Sequence, residues 1–100
     1  MIRATTPIHI FELPFECSTY ISKCRVTYSQ CGKTVVEKTE ADVTYEDKTM
    51  RVQLTQADTK AFTCDALVKV QVRCLSTGGQ VVASDIYTLR VADVLNDEVL

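Results

Sequence analysis

Hydrophobic and polar residues alternate along much of the chain, and the alternation is interrupted mainly at turn-forming residues. In SKCRVTYSQ (22–30), Cys24, Val26 and Tyr28 share one face while Lys23, Arg25 and Thr27 share the other. A period of two with one apolar face is the pattern of a half-buried β-strand. ALVKVQVRC (66–74) sets Val68, Val70, Val72 and Cys74 against Lys69, Gln71 and Arg73. TMRVQL (49–54) repeats the scheme with Met50, Val52 and Leu54, and IYTLRVA (86–92) with Tyr87, Leu89 and Val91.

Turn residues fall where hairpins need them. QCGK (30–33) places Gly32 between strands expected over 22–30 and 33–39, and STGGQ (76–80) supplies Gly78 and Gly79 for a second tight turn. EDK (46–48) joins a short strand over 42–45 to the one over 49–54. Pro7 and Pro14 bracket IHIFEL (8–13), which suits an edge strand because proline cannot donate to a ladder. About seven to eight short strands at near-regular spacing predict an all-β antiparallel sandwich. Residues 1–100 form one domain in this reading, with an N-terminal arm over 1–6 and a C-terminal tail over 94–100.

LTQADTKAF (54–62) breaks the alternation. Thr55 followed three residues later by Asp58 has the form of a capping box, and an acid in a first helical turn suits the helix dipole. The stretch predicts one short helix near 55–61 crossing between the sheets, with Phe62 or Ala57 plugging the open end of the core.

Composition narrows the class without naming a function. At 100 residues, 46% hydrophobic and 24% charged, the chain buries roughly two thirds of its unfolded surface and is not a disordered protein. The net charge is −2 with both signs interleaved, so no basic footprint for nucleic acid is expected. The first residues, MIRATTPIHIF, lack the apolar run of a signal peptide, and no stretch has the length of a membrane span. Synthesis in the cytoplasm without export is the expectation.

Five cysteines stand at 17, 24, 31, 64 and 74, with His9 the single histidine and no C-x-x-C. That spacing argues against a metal centre, and free thiols acting as small apolar residues are expected. Cys24 and Cys74 fall on the inward phase of two strands, so a bridge between the sheets of the sandwich is the alternative. The tryptophan that accompanies such a bridge in antibody domains is absent.

Candidate chemistry is sparse. His9 lies among apolar neighbours in a predicted edge strand and is expected to be a strand residue rather than a general base. Glu37, Glu40, Asp42, Glu46 and Asp47 lack the spacing of a calcium loop and read as a solvated edge that discourages strand pairing. Gly78-Gly79 precedes no helix and is a hairpin rather than a phosphate loop. Tyr20, Tyr28, Tyr45 and Tyr87 lie on separate segments, which favours packing over a sugar-binding platform. The chain is expected to be no enzyme, with no cofactor, no small-molecule substrate, no nucleic acid and no membrane partner.

The segments VQLTQADT (52–59) and SDIYTLRV (84–91) carry a resemblance. In sequence order with the hairpin at 76–80, they resemble small immunoglobulin-like proteins encoded among the structural genes of tailed phages and prophages of gut Firmicutes. The chain is similar, more loosely, to the N-terminal domain of phage baseplate upper proteins. Val52, Leu54, Thr55, Asp58, Thr59, Ser84 and Ile86 match a V-x-L-T-x-x-D-T helix entry and an S-x-I-x-x-x-V strand, with the last valine displaced to Val91. The resemblance spans about residue 7 to the end and rests on framework residues, while five cysteines depart from the pattern. It implies an immunoglobulin-like sandwich in a virion, as a capsid accessory or decoration protein, an adaptor, or a tail or fibre-base module. Its partners would be other virion proteins, copies of itself, or both.

Contact candidates follow from exposed apolar residues. The tail VADVLNDEVL places Val94, Leu95, Val99 and Leu100 at the chain end, and the edge strand adds His9 and Phe11. The tail either docks on a neighbour or folds back over its own sandwich. A carbohydrate- or cell-surface-binding module is the alternative function.

Overall fold

The computed structural model describes residues 1–63, 66–84, 86–92 and 95. Among the described residues, eight strands fall in two antiparallel sheets. They are β1 (Ile8–Glu12), β2 (Ile21–Gln30), β3 (Lys33–Thr39), β4 (Val43–Glu46), β5 (Thr49–Gln53), β6 (Leu67–Ser76), β7 (Val81–Ala83) and β8 (Tyr87–Arg90). One sheet runs β1-β5-β4; the other runs β3-β2-β6-β7, with β8 also pairing β6. The strand order is immunoglobulin-like: second, fifth and fourth positions in one sheet, and a C′-C-F-G series in the other. The all-β sandwich expected from alternation is therefore the fold.

The spine is the β2–β6 pair, in register from Cys24↔Cys74 through Val26↔Val72 to Tyr28↔Val70. All six of these side chains are buried. Met50, Val52 and Leu54 meet them from the other sheet's side of the core, and Phe62 and the β6 residue Val68 complete the same cluster. The phase extends to the polar ends Gln30 and Ser76, both buried. A buried amide or hydroxyl needs a partner. Gln30 supplies both halves of its amide to Thr63, accepting from its N–H at 2.8 Å and donating to its carbonyl at 3.0 Å. The Ser76 hydroxyl accepts from the Gln80 N–H at 2.9 Å.

The predicted helix is α2 (Gln56–Lys60), with Thr55 as N-cap. The box is complete: the Asp58 N–H donates to Thr55 Oγ1 at 3.1 Å, and the Thr55 N–H donates to Asp58 Oδ2 at 2.9 Å. Phe62 plugs the core and Ala57 stays exposed. A second helix, α1 (Cys17–Tyr20), was not foreshadowed by the pattern, since Glu16 at its N-cap makes no side-chain cap. At the β2–β3 hairpin both Cys31 (φ 51°) and Gly32 (φ 76°) take the left-handed conformation that a two-residue type I′ turn requires. No helix among the described residues is long and apolar enough to cross a membrane.

Candidate functional site

Strand β1 ends its sheet, and its backbone phase decides what it offers. Leu54 N–H donates to the Pro7 carbonyl at 3.0 Å, and Leu13 N–H donates to the Lys48 carbonyl at 2.8 Å. With His9↔Val52 and Phe11↔Met50 in register, the odd-numbered residues turn their N–H and C=O groups toward β5. Antiparallel pairing alternates, so the backbone groups of Ile8, Ile10 and Glu12 point away from the sheet at the open edge. In an immunoglobulin constant-type sandwich a first strand flanks this position. Here the preceding arm makes one parallel bridge, Ile2↔Ala92, and turns aside toward α2. Thr59, buried, receives it there: Thr5 N–H donates to Thr59 Oγ1 at 3.1 Å, and that hydroxyl donates to the Thr5 carbonyl at 2.8 Å.

The side-chain phase of β1 corrects the choice of contact residues on this strand. His9 and Phe11 face the interior, whereas Ile8 and Ile10 are exposed at 56% and 59%. The reason is the pairing with β5, which sets Phe11 opposite Met50 and His9 opposite Val52, both core residues. Phe11 meets the Tyr87 ring at 5.7 Å. Between β1 and β8 lies a groove of about 700 Å³ lined by Ile8, Ile10, Phe11, Val70, Tyr87 and Leu89, with His9 and Glu12. Beyond Glu12 a smaller hollow of about 270 Å³ continues past Phe15 toward β7.

The His9 Nδ1 atom and the Tyr28 hydroxyl are hydrogen-bonded at 2.7 Å. Burial, with a smaller contribution from the N-terminal ammonium, lowers the pKa of His9 below 6.5. Burial, and to a lesser extent the Asp58 charge, pushes the Tyr28 phenol upward. A neutral imidazole bound to a neutral phenol satisfies two buried polar groups and presents no activated nucleophile.

Cys24 and Cys74 lie opposite each other on neighbouring strands of one sheet. A bridge between the two sheets is thereby corrected, because both inward-facing strands belong to the same layer. Cys17, Cys24, Cys31 and Cys74 carry free thiols. Cys24 Sγ is 3.4 Å from the Tyr45 hydroxyl. Burial raises the pKa of Cys17, Cys24 and Cys74, the last to about 11. Thiols held protonated in this way are poor nucleophiles and pack as small apolar groups. Cys31 is exposed at its hairpin tip, and Cys64 lies outside the described residues.

The acidic stretch is tied up in surface pairs. Arg25 meets Glu40 at 2.8 Å and Glu37 at 3.6 Å, and Arg51 meets Glu46 at 3.2 Å. Asp42 accepts from the Thr39 N–H and hydroxyl, which hold its carboxyl below the usual range. Among the described residues, no cluster of three or more His, Cys, Asp or Glu side chains has the geometry to hold a metal ion. Of the tail candidates, Leu95 is fully exposed; Val94, Val99 and Leu100 lie outside the described residues.

No family model and no curated protein matches the chain. Among solved structures it is similar to the V domain of amphioxus IgVJ-C2, at 16% identity and a TM-score of 0.37. The match covers 91% of this chain and 96% of that one. The likeness is loose, and the immunoglobulin-like description rests on the strand order.

Proposed function

We propose that this chain is a non-enzymatic structural protein of a phage virion that acts through protein–protein contacts. The carrying observation is the β1 edge, where backbone groups with no strand partner among the described residues and exposed Ile8 and Ile10 stand beside an apolar groove. The resemblance of residues 52–59 and 84–91 to phage structural proteins supplies the setting: a capsid accessory, an adaptor, or a tail or fibre-base module. Such a role needs faces and edges that repeat on a symmetric assembly and needs no reacting group. The partners in this reading are other virion proteins, copies of this chain, or both, and the protein resides in the particle.

The carbohydrate-binding reading gains no support from the aromatic residues. Tyr28 is buried, and Tyr20 stacks on Phe15 at a ring separation of 4.2 Å. Mass spectrometry of purified particles from a host producing this protein is the test. Stoichiometric recovery with capsid or tail proteins is expected, and its absence from particles while abundant in the lysate overturns the proposal.

A further inference from the structure

We infer that β1 is a homodimerisation edge, pairing antiparallel with β1 of a second copy about a two-fold axis through Ile10. Only a strand supplies the row of donors and acceptors that the backbone of Ile8, Ile10 and Glu12 requires. Phase then limits the partner: the even-numbered residues of one strand must face even-numbered residues of the other as hydrogen-bonded pairs. Full overlap sets Ile10 opposite Ile10 of the second copy and Ile8 opposite Glu12. That register forms six backbone hydrogen bonds and puts no like charges opposite each other. Pro14, on the same phase as Glu12, lacks the N–H that would extend the pairing, and before Ile8 the arm turns aside at Thr5 toward Thr59.

The other edges differ in the way proteins use to prevent such contact. Strand β3 carries Lys33, Glu37 and Lys38, and β4 is four residues long and ends in Glu46. Strands β7 and β8 are three and four residues long. Within β1 there is no lysine, arginine or proline, and its outward side chains are Ile8, Ile10 and Glu12. Pairing joins the two three-stranded sheets into one of six and sets the two Ile10 side chains side by side on its outer face, with each Ile8 beside the Glu12 of the other copy. A five-residue strand contact falls below the roughly 1,200 Å² of a standard stable interface. The dimer is therefore weak and concentration-dependent in free solution, and multiple weak contacts of this kind suit a closed assembly.

This assignment deepens the contact-protein reading, yet the two fail separately. Sedimentation velocity of the full chain under reducing conditions, from about 5 to about 500 µM, tests it. A reversible monomer–dimer equilibrium is expected. Ile10→Lys should weaken it at least about tenfold with an unchanged thermal melt, while Val81→Lys on β7 leaves it intact. A wild-type chain that stays monomeric over the whole range overturns the assignment, as does an Ile10→Lys variant that dimerises like wild type. Loss of Ile10→Lys from particles alongside a monomeric wild type would give the edge to another protein and leave the virion reading standing.

Discussion

Along the side of the sandwich formed by β3 and β4, polar groups find partners. Glu37 and Glu40 share Arg25, Glu46 meets Arg51, and Lys38 reaches Asp58 of α2 at 2.7 Å. Along the opposite side, β1 and β8 present Ile8, Ile10 and Tyr87 to solvent beside an apolar groove. Both sides begin as sheet edges with the same backbone problem. One solves it with charge, which repels another strand; the other leaves it open. The difference locates the candidate contact surface more sharply than any single residue does.

The comparison requires that the core between the two sides be rigid, and the largest effect tests that. Val70→Asp buries a carboxylate where Tyr28 and Phe62 pack, and should cost at least about 4 kcal/mol in urea unfolding, enough to threaten folding. Asp58→Ala strikes the charged side next. It removes the capping box and frees the partly buried Lys38 ammonium, so a loss of about 1–2 kcal/mol is expected. An equal loss on removing the exposed Glu46 carboxylate would erase the distinction, since such surface pairs contribute under about 1 kcal/mol.

On the open side, His9 gives a pH signature. The unfolded chain binds a proton near the ordinary value of 6.5, while burial keeps the folded imidazole below it. The unfolded state thus binds more protons between the two values, so stability is full above 6.5 and declines as pH falls through that window. The urea midpoint should drop between about pH 7.5 and about pH 5, and His9→Gln should flatten that part of the profile. The smallest effect is at the β2–β3 turn. Cys31→Gly relieves a side chain from left-handed backbone and should stabilise by about 0.5–1 kcal/mol.

Much of this was legible in the chain because period two is a strong signal where one face is buried. The inward sets at 24/26/28, 50/52/54 and 68/70/72/74 are all core, and Thr55 with Asp58 announced α2. Besides α1, whose N-cap residue makes no side-chain cap, other features were not legible. In IHIFE, apolar residues occur on both phases, so alternation alone could not say that Phe11 packs inside while Ile8 and Ile10 face out; pairing with β5 decides it. The adjacency of Cys24 and Cys74 depends on which strands become neighbours across fifty residues, which a local pattern does not encode. The pairing of His9 with Tyr28 and of Thr59 with the arm are tertiary hydrogen bonds that leave no periodic trace.

Amide hydrogen exchange along β1, at a concentration low enough to keep the chain monomeric, tests the open edge most directly. The account predicts slow exchange at His9 and Phe11, whose N–H groups point to β5, and fast exchange at Ile8, Ile10 and Glu12. Equal protection at all five would mean that the edge is already covered within the chain, and would contradict the account.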